Sequence, residues 1–125
     1  MNEGKNISAY EEVEKFLSNL FGKLIVRCIM FLDDRDKNRG TLAELDITPN
    51  SRVEVIKSLN VEDYSEGPIL DAINMLGDMW VFGKDVKGKE VYIKISLGKP
   101  NSNVICISFH TAEHPMNYPY KNIGK

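Results

Sequence analysis

Near its start the chain carries apolar side chains at helical spacing. Between residues 10 and 21 they recur every three or four positions, which places them in one stripe on an amphipathic helix. Ser8 and Glu11 match an S-x-x-E capping box, and Gly22 is a typical residue just beyond a helix. The pattern therefore predicts a helix between Ser8 and Gly22. Its apolar stripe consists of Tyr10, Val13, Phe16, Leu17, Leu20 and Phe21.

The pattern changes after this helix. Residues 23–32 are rich in β-branched and apolar types, which predicts a mostly buried strand. Past a mixed charge run, a short helix is predicted over 41–45, and a firmer one begins at Thr48, an N-cap type followed by proline. Residues 60–78 contain two glycine-based turn signals, which predict a loop with one helical turn.

In the last third of the chain, apolar and polar side chains alternate, which is the period of half-buried strands. Turns at Lys87-Gly88 and at 98–101 connect the strands into an antiparallel meander. With the helices before it, the order αβααβββ predicts an α+β fold, in which N-terminal helices pack on one face of a small antiparallel β-sheet. The predicted strands cover about 79–86, 90–97 and 104–110.

Alternation also predicts which side chains share a face of this sheet. In each strand the apolar set must face the helices, so the polar set lies together on the opposite, open face. The side chains expected on the core face are Val91, Ile93, Ile95, Leu97, Ile105, Ile107 and Phe109. Those expected on the open face are Tyr92, Lys94, Ser96, Cys106, Ser108 and His110.

The open face is therefore predicted to combine a phenol, an ammonium group, a hydroxyl and an imidazole. Cleavage of RNA without a metal needs such groups: the 2′-hydroxyl must lose a proton, the 5′-oxygen must gain one, and phosphorane charge must be stabilised. Tyr92, His110 and Lys94 are suited to these steps. A sheet face that simply meets water shows the same alternation, so the pattern alone leaves both interpretations open.

Composition indicates one folded domain. The chain has 125 residues, of which 42% are hydrophobic and 27% charged, and we expect a single domain over 1–125. It has no apolar run long enough for a membrane helix and no signal-peptide features, so a cytoplasmic protein without a membrane partner is expected. Cys28 and Cys106 lie in apolar runs and are predicted to be buried thiols. The parts of the domain are a helical half at about 8–60, the β-meander at about 79–110 and an ordered tail at 111–125.

Charge is distributed unevenly along the chain. The net charge of -2 by itself opposes binding of phosphate groups. Residues 1–78, however, carry 15 acidic and 9 basic side chains, whereas residues 79–125 carry 3 acidic and 7 basic ones, balances of -6 and +4. The predicted sheet is the basic part, and a local field governs the approach of a phosphate more directly than the total charge does.

The predicted sheet resembles a known family. The runs from Trp80 to Ile95 and from Val104 to His110 resemble the C-terminal sheet of the MqsR-like and ParE-like toxins, which belong to the RelE/ParE superfamily of bacterial type II toxin–antitoxin systems. In MqsR, an aspartate-valine-tyrosine-leucine-lysine strand is followed by one that ends in serine-phenylalanine-lysine. The counterparts in this chain are Glu90 to Lys94 and Ser108 to His110. The resemblance covers most of residues 9–121; it is clear over 79–110 and loose before that.

The resemblance implies a growth-inhibiting toxin that a cognate antitoxin protein holds inactive. It implies a metal-independent endoribonuclease, an mRNA interferase, that acts without a cofactor on mRNA, free or on the ribosome. By position, Tyr92 matches a tyrosine of the MqsR active face, Lys94 matches its strand lysine, and His110 stands where MqsR has a lysine. A lysine and a glutamine upstream in MqsR have no match. ParE relatives inhibit DNA gyrase and cut no RNA, so inhibition of gyrase by binding is the alternative.

Seven further side chains are candidates for substrate binding. Three lysines surround the predicted hairpin and either grip phosphate or simply protect edge strands. A serine next to the predicted catalytic histidine, a second histidine beyond it and two residues of the tail complete the set. They are Lys84, Lys87, Lys89, Ser108, His114, Tyr120 and Lys121.

Residues 110–114 match H-x-x-E-H, an inverted zinc-protease signature. That motif requires a helix, on which both histidines share one face. Here His110 ends a predicted strand and Pro115 directly follows His114, so no metal site is predicted.

Overall fold

In the described part of the chain, three α-helices, a 3₁₀ turn and five strands form the α+β fold that the sequence predicts. A computed structural model describes residues 6–70 and 77–121. Part of the predicted loop, 71–76, and the end of the predicted tail, 122–125, lie outside the described residues. None of the described helices is long and apolar enough to cross a membrane. The elements are α1 Tyr10–Lys23, β1 Ile29–Phe31, α2 Asp36–Leu45, α3 Ser51–Lys57, the 3₁₀ turn Val61–Asp63, β2 Tyr64–Leu70, β3 Asp78–Val86, β4 Lys89–Ser96 and β5 Val104–Thr111.

The sheet is mixed rather than wholly antiparallel. Its strand order is β1-β5-β4-β3-β2, and β2 to β5 form the antiparallel part. β1 pairs in parallel with β5, with Ile29 opposite Val104. The antiparallel meander follows from local alternation and turns, whereas the parallel pair joins segments that lie far apart in the chain.

The apolar stripe of α1 covers one face of this sheet. Val13 is fully buried, and Phe16 stacks on Trp80 of β3 with ring centroids 4.6 Å apart. From the sheet, Ile93 and Ile95 of β4 join the same core cluster and are also fully buried. Burial of each such side chain contributes roughly 1.5–3 kcal/mol. This packing decides which face of the sheet is covered and which is open.

The start of α1 differs by one residue from the predicted capping box. The N–H of Ala9 donates to a side-chain oxygen of Glu12 at 2.9 Å, so Glu12 takes the part expected of Glu11. Ser8 instead donates its hydroxyl to the carbonyl of Gly67 at 2.8 Å. The segment before α1 is therefore tied to β2.

The prediction of a mostly buried strand over 23–32 is largely wrong. Hydrogen-bonded turns follow directly after α1. The only part of this segment that joins the sheet is β1, which has three residues. Ile25 and Val26 are 82% and 77% exposed. Cys28 is exposed rather than buried, whereas Cys106 is buried as predicted. Apolar composition alone did not distinguish a surface turn from a strand.

The predicted loop over 60–78 contains a strand. The expected helical turn is present as the 3₁₀ turn, but the residues from Tyr64 onward form β2, which pairs with β3. Register shifts interrupt this pairing between Tyr64 and Glu66 and between Glu66 and Ile69. Such irregularities break the period of two, so the strand could not be recognised from alternation.

A bulge in β5 changes which of its side chains face the helices. Lys94 pairs with Ser108, but Ile95 pairs with Cys106, which leaves Ile107 as an extra residue in β5. Before the bulge the alternation is reversed, so Cys106 belongs to the core cluster instead of the open face. The side chains that were predicted to face the helices, but are buried outside that cluster, are Ile105 and Ile107.

α2 lies along the edge of β5 past Cys106, where the pairing of β5 with β1 ends. The side chain of Asn38, a residue 1% exposed, donates to the carbonyl of Ile107 at 3.0 Å and accepts the N–H of Phe109 at 3.0 Å. One turn later, Thr41 accepts the N–H of Thr111 at 3.3 Å. Residues three apart share a face of a helix. One face of α2 therefore provides hydrogen-bond partners for backbone groups on this edge of β5, as a neighbouring strand would.

Replacing Asn38 with alanine should lower the free energy of unfolding by about 3 kcal/mol. The change removes three hydrogen bonds and leaves buried backbone groups at the bulge without partners. Urea denaturation measures the difference. Asn19→Ala, on the exposed side of α1, is the matched control and should change stability by less than about 0.5 kcal/mol. Equally small effects of both substitutions would contradict the part assigned to Asn38.

Candidate active site

Tyr92 of β4 and His110 of β5 are direct partners across the two strands. Their rings are stacked, with centroids 5.3 Å apart and an interplanar angle of 13°. The register also places Gly83 of β3 opposite Tyr92, so no side chain crowds the phenol from that strand. A phenol and an imidazole therefore lie side by side on the open face.

Lys94 and Ser108 form the next row of the same face, again as direct partners. The Nζ atom of Lys94 lies 5.8 Å from the centroid of the Tyr92 ring, within the range of a cation–π contact. Ser108 is only 2% exposed and forms the floor between the strands. The structure thus brings together four predicted site residues.

These four side chains line a pocket of about 340 Å³. The rest of its lining comes from three segments that are distant in sequence: the residue before α2, the strand β2 and the tail after β5. From the tail comes His114, a predicted substrate-binding residue. The other lining residues are Arg35, Ser65, Glu66, Glu113, Pro115 and Met116.

Arg35 is a pocket residue that alternation does not identify. It stands in the mixed charge run directly before α2, where a solvated cation is the default expectation. In the structure its Nη1 atom donates to the carbonyl of Ile107 at 3.2 Å, at the bulge of β5. The guanidinium fork is suited to phosphate oxygens. The sequence predicted a short helix over 41–45 only, whereas α2 begins at Asp36, so the pattern gave no signal that places Arg35 at a helix start.

Burial raises the pKa of Tyr92 above its ordinary value, and the negative charge of Glu66 in the same pocket raises it further. Tyr92 therefore remains a neutral phenol at physiological pH and can donate a proton. The Nδ1 atom of His110 lies 3.0 Å from the carbonyl oxygen of Thr111. Because a carbonyl only accepts, Nδ1 carries the hydrogen in this contact, and in the neutral ring the lone pair is on Nε2.

The tail after β5 is held over the sheet by Glu90 of β4. One carboxylate oxygen of Glu90 accepts the N–H of Met116 at 3.2 Å, and the other accepts the hydroxyl of Tyr118 at 2.6 Å. A Cβ atom at Gly83 would lie 2.8 Å from the sulfur of Met116, so glycine makes this close approach possible. Burial and the hydrogen bond to Glu90 raise the pKa of Tyr118, so its phenol keeps the proton that it donates.

The three lysines of the β3–β4 hairpin do not line the pocket. Lys84 forms an ion pair with Asp63 at 3.0 Å, and Lys87 donates to the carbonyl of Asp46 at 2.8 Å. Lys89 lies 3.9 Å from a glutamate of α2. Their partners belong to the helical layer and its connections, so the structure does not place these lysines beside the stacked rings.

The other two candidates from the tail also lie outside the pocket. Tyr120 donates its hydroxyl to the carbonyl of Ser8, and its ring stacks on Tyr64 with centroids 6.0 Å apart. The Nζ atom of Lys121 lies 5.1 Å from the centroid of the Tyr118 ring. The tail therefore leaves the pocket after Met116, and its residue Tyr120 lies near the start of α1.

The H-x-x-E-H match does not lie on a helix. His110 is in β5, His114 is in the tail, and between them Glu113 forms an ion pair with Lys37 at 2.8 Å. In the parts of the chain that the structure describes, no three side chains of His, Cys, Asp or Glu are grouped so that they could hold a metal ion.

Gly83→Ala should displace the tail from the sheet, because the added methyl group would collide with the hydroxyl of Tyr118. We expect amide hydrogen exchange over residues 112–118 to become about tenfold faster, which corresponds to roughly 1.4 kcal/mol of local stability. Gly40→Ala is the control, since no atom lies within 4 Å of the methyl group it would add. Unchanged exchange in Gly83→Ala would show that the tail is not packed against β3.

The pocket unites a proton donor, a potential base and two cationic side chains on a face that also carries a buried hydroxyl. Such a set can move protons and stabilise negative charge on a bound anion. Comparison of the chain with protein-family models, curated proteins and solved structures found no match.

Proposed function

We propose that the chain is a metal-independent endoribonuclease that cleaves mRNA, and that it is the toxin of a bacterial type II toxin–antitoxin system, neutralised in the cytoplasm by a cognate antitoxin. The observation that carries the enzymatic part is the stacked pair of Tyr92 and His110, with Lys94 and Arg35 in the same pocket. The assignment as a toxin is supported by the resemblance of residues 79–110 to MqsR-like and ParE-like toxins.

In the proposed reaction, Nε2 of His110 takes the proton of the ribose 2′-hydroxyl. The resulting oxygen attacks the adjacent phosphorus and forms a pentacoordinate phosphorane. Tyr92 donates its proton to the 5′-oxygen as the bond from phosphorus to that oxygen breaks. The products are a 2′,3′-cyclic phosphate and a 5′-hydroxyl, and the imidazolium and phenolate return to their starting forms by proton exchange with solvent. Neither a metal nor a redox partner is needed for this balance.

The division of roles follows from the environment of the two rings. The pKa of Tyr92 is raised, so deprotonation of the phenol begins only at a pH above the ordinary range of tyrosine. The donor is therefore present throughout neutral pH. The carbonyl of Thr111 orients the imidazole so that Nε2 is the available nitrogen. Lys94 and Arg35 then stabilise the charge of the phosphorane, a contribution that is often large in such reactions.

Two carboxylates in the pocket favour a second candidate function. Glu66 and Glu113 oppose the approach of a phosphate and are suited instead to cationic groups of a protein. The alternative is a toxin that inhibits DNA gyrase by binding and cleaves no RNA. Accumulation of gyrase-linked DNA breaks in cells whose RNA stays intact would select it.

His110→Gln should lower the rate of RNA cleavage by about 10²–10⁴-fold, because the base is removed. The assay uses single-stranded RNA, alone and with translating ribosomes, and detects 2′,3′-cyclic phosphate ends. His114→Gln, at the rim of the same pocket, also removes an imidazole and should lower the rate of cleavage by less than about tenfold. Intact RNA after incubation with the wild-type protein in both assays would contradict the proposed enzyme.

Lys94→Gln and Lys84→Gln form a matched pair of strand variants. Each removes one ammonium group, but only Lys94 lines the pocket, whereas Lys84 pairs with Asp63. Cleavage by Lys94→Gln should fall by about 10- to 100-fold, since a charge-assisted contact contributes roughly 1.5–3 kcal/mol. Cleavage by Lys84→Gln should stay within about twofold of the wild-type rate. Equal losses in both variants would contradict the placement of the anion site.

A further inference from the structure

An apolar surface lies on the far edge of the sheet, away from the pocket. Beside β1 the side chains of Ile25 and Val26 are 82% and 77% exposed, and Met30 is 47% exposed. Single exposed apolar residues are ordinary, but three within six positions at the edge of a sheet mark an interaction surface.

A groove of about 520 Å³ runs along the same edge, between the end of α1, β1 and α3. Leu24, Phe31 and Val53 supply apolar lining. Below them the guanidinium of Arg52 lies 3.9 Å from the centroid of the Phe31 ring and forms two hydrogen bonds with Asp33, at 2.7 and 2.8 Å. The charge of Arg52 is therefore matched inside the protein, and the groove combines this apolar lining with charged and polar side chains.

The backbone of β1 is oriented to pair with another strand. The carbonyl of Cys28 accepts from β5 at 3.0 Å, and the N–H of Leu32 donates to β5 at 3.1 Å. In a parallel pair alternate residues point their backbone groups to opposite sides, so Ile29 and Phe31 direct theirs to the outer edge. The carbonyl of Phe31 accepts the N–H of Asp33 at 2.9 Å, so the groups oriented for an added strand are the N–H and carbonyl of Ile29 and the N–H of Phe31. Since β1 is the last strand of the sheet, that edge faces the groove.

The charged side chains that line the groove are three cations and one carboxylate, and the carboxylate, Asp33, is paired with Arg52. Arg27 and Lys57 line it and are exposed, and neither forms an ion pair with any residue that the structure describes. This basic rim stands out because residues 1–78 have a net charge of -6. An acidic partner would be attracted, whereas a second copy docked edge to edge would bring like charges together.

We propose that the edge of β1 and the groove bind an extended protein segment, in which alternating apolar side chains are flanked by aspartate or glutamate. The segment adds a sixth strand beside β1, its backbone pairs with both groups of Ile29 and with the N–H of Phe31, and its apolar side chains enter the groove. Its acidic flanks contact Arg27 and Lys57. Strand addition of this kind gives affinity through the main chain and specificity through alternate side chains.

The test titrates the full chain with a blocked peptide in which valine and threonine alternate between two acidic ends. We expect saturable binding by fluorescence anisotropy, and protection of residues 28–32 from hydrogen exchange. A second probe, the same peptide N-methylated on the edge that faces β1, cannot form the ladder and should bind at least tenfold more weakly. A third probe, the same peptide with lysine in place of the acidic ends, should also bind at least tenfold more weakly.

The matching protein variants reverse the charge of the two exposed basic residues at the groove. Arg27→Glu with Lys57→Glu should weaken peptide binding at least tenfold, whereas Lys15→Glu with Lys89→Glu, exposed cations elsewhere, should not. No binding of the acidic peptide at millimolar concentration, or equal binding of the acidic and lysine-ended peptides, would overturn the proposal. Self-association of the chain through this edge, detected by light scattering, would overturn it in favour of a second copy. None of these readouts involves RNA, so the outcome is independent of the proposed cleavage.

Discussion

Coverage of the edge of β5 by α2 is the contact on which the candidate site depends. β5 carries an extra residue at Ile107, and at that point the regular ladder is interrupted. A buried backbone without partners costs free energy comparable to a lost hydrogen bond. The side chain of Asn38 avoids this cost, because it bonds the carbonyl of Ile107 and the N–H of Phe109. α2 therefore stabilises β5 at the bulge, and with it the order of side chains along this strand.

The pocket follows from that contact. Because α2 lies along β5, Arg35 directly before it reaches the carbonyl of Ile107 and enters the pocket from the side. Beyond the bulge, Ser108 and His110 point to the open face, opposite Lys94 and Tyr92. One helix thus determines both the strand that carries the imidazole and the guanidinium that faces it. This dependence explains why a cation from the charge run, rather than one from the hairpin, lies next to the stacked rings.

An ion pair between a buried arginine and a partly exposed aspartate holds the segment that leads into α2. Arg52 is 1% exposed, donates through Nε to the carbonyl of Pro49 at 2.9 Å and binds both carboxylate oxygens of Asp33. These hydrogen bonds lower the pKa of Asp33, so its carboxylate is charged at neutral pH. The same pair underlies the groove beside β1. The segment from Asp33 to Arg52 therefore contributes to both sites: Arg35 lines the pocket on the open face, and Asp33 and Arg52 line the groove beside β1.

The sequence by itself determined the helix α1, the antiparallel meander and the side chains that β4 presents on each face, because periodicity and turn residues are local properties. It also placed Tyr92, Lys94, Ser108 and His110 on one surface, since alternation within each strand was regular there. Only the tertiary structure decided the bulge at Ile107, the strand β2, the short parallel strand β1 and the presence of Arg35 and Glu66 in the pocket. Each of these results from hydrogen bonds or packing between segments distant in the chain. Their energies depend on which partner is available, and no local pattern specifies that.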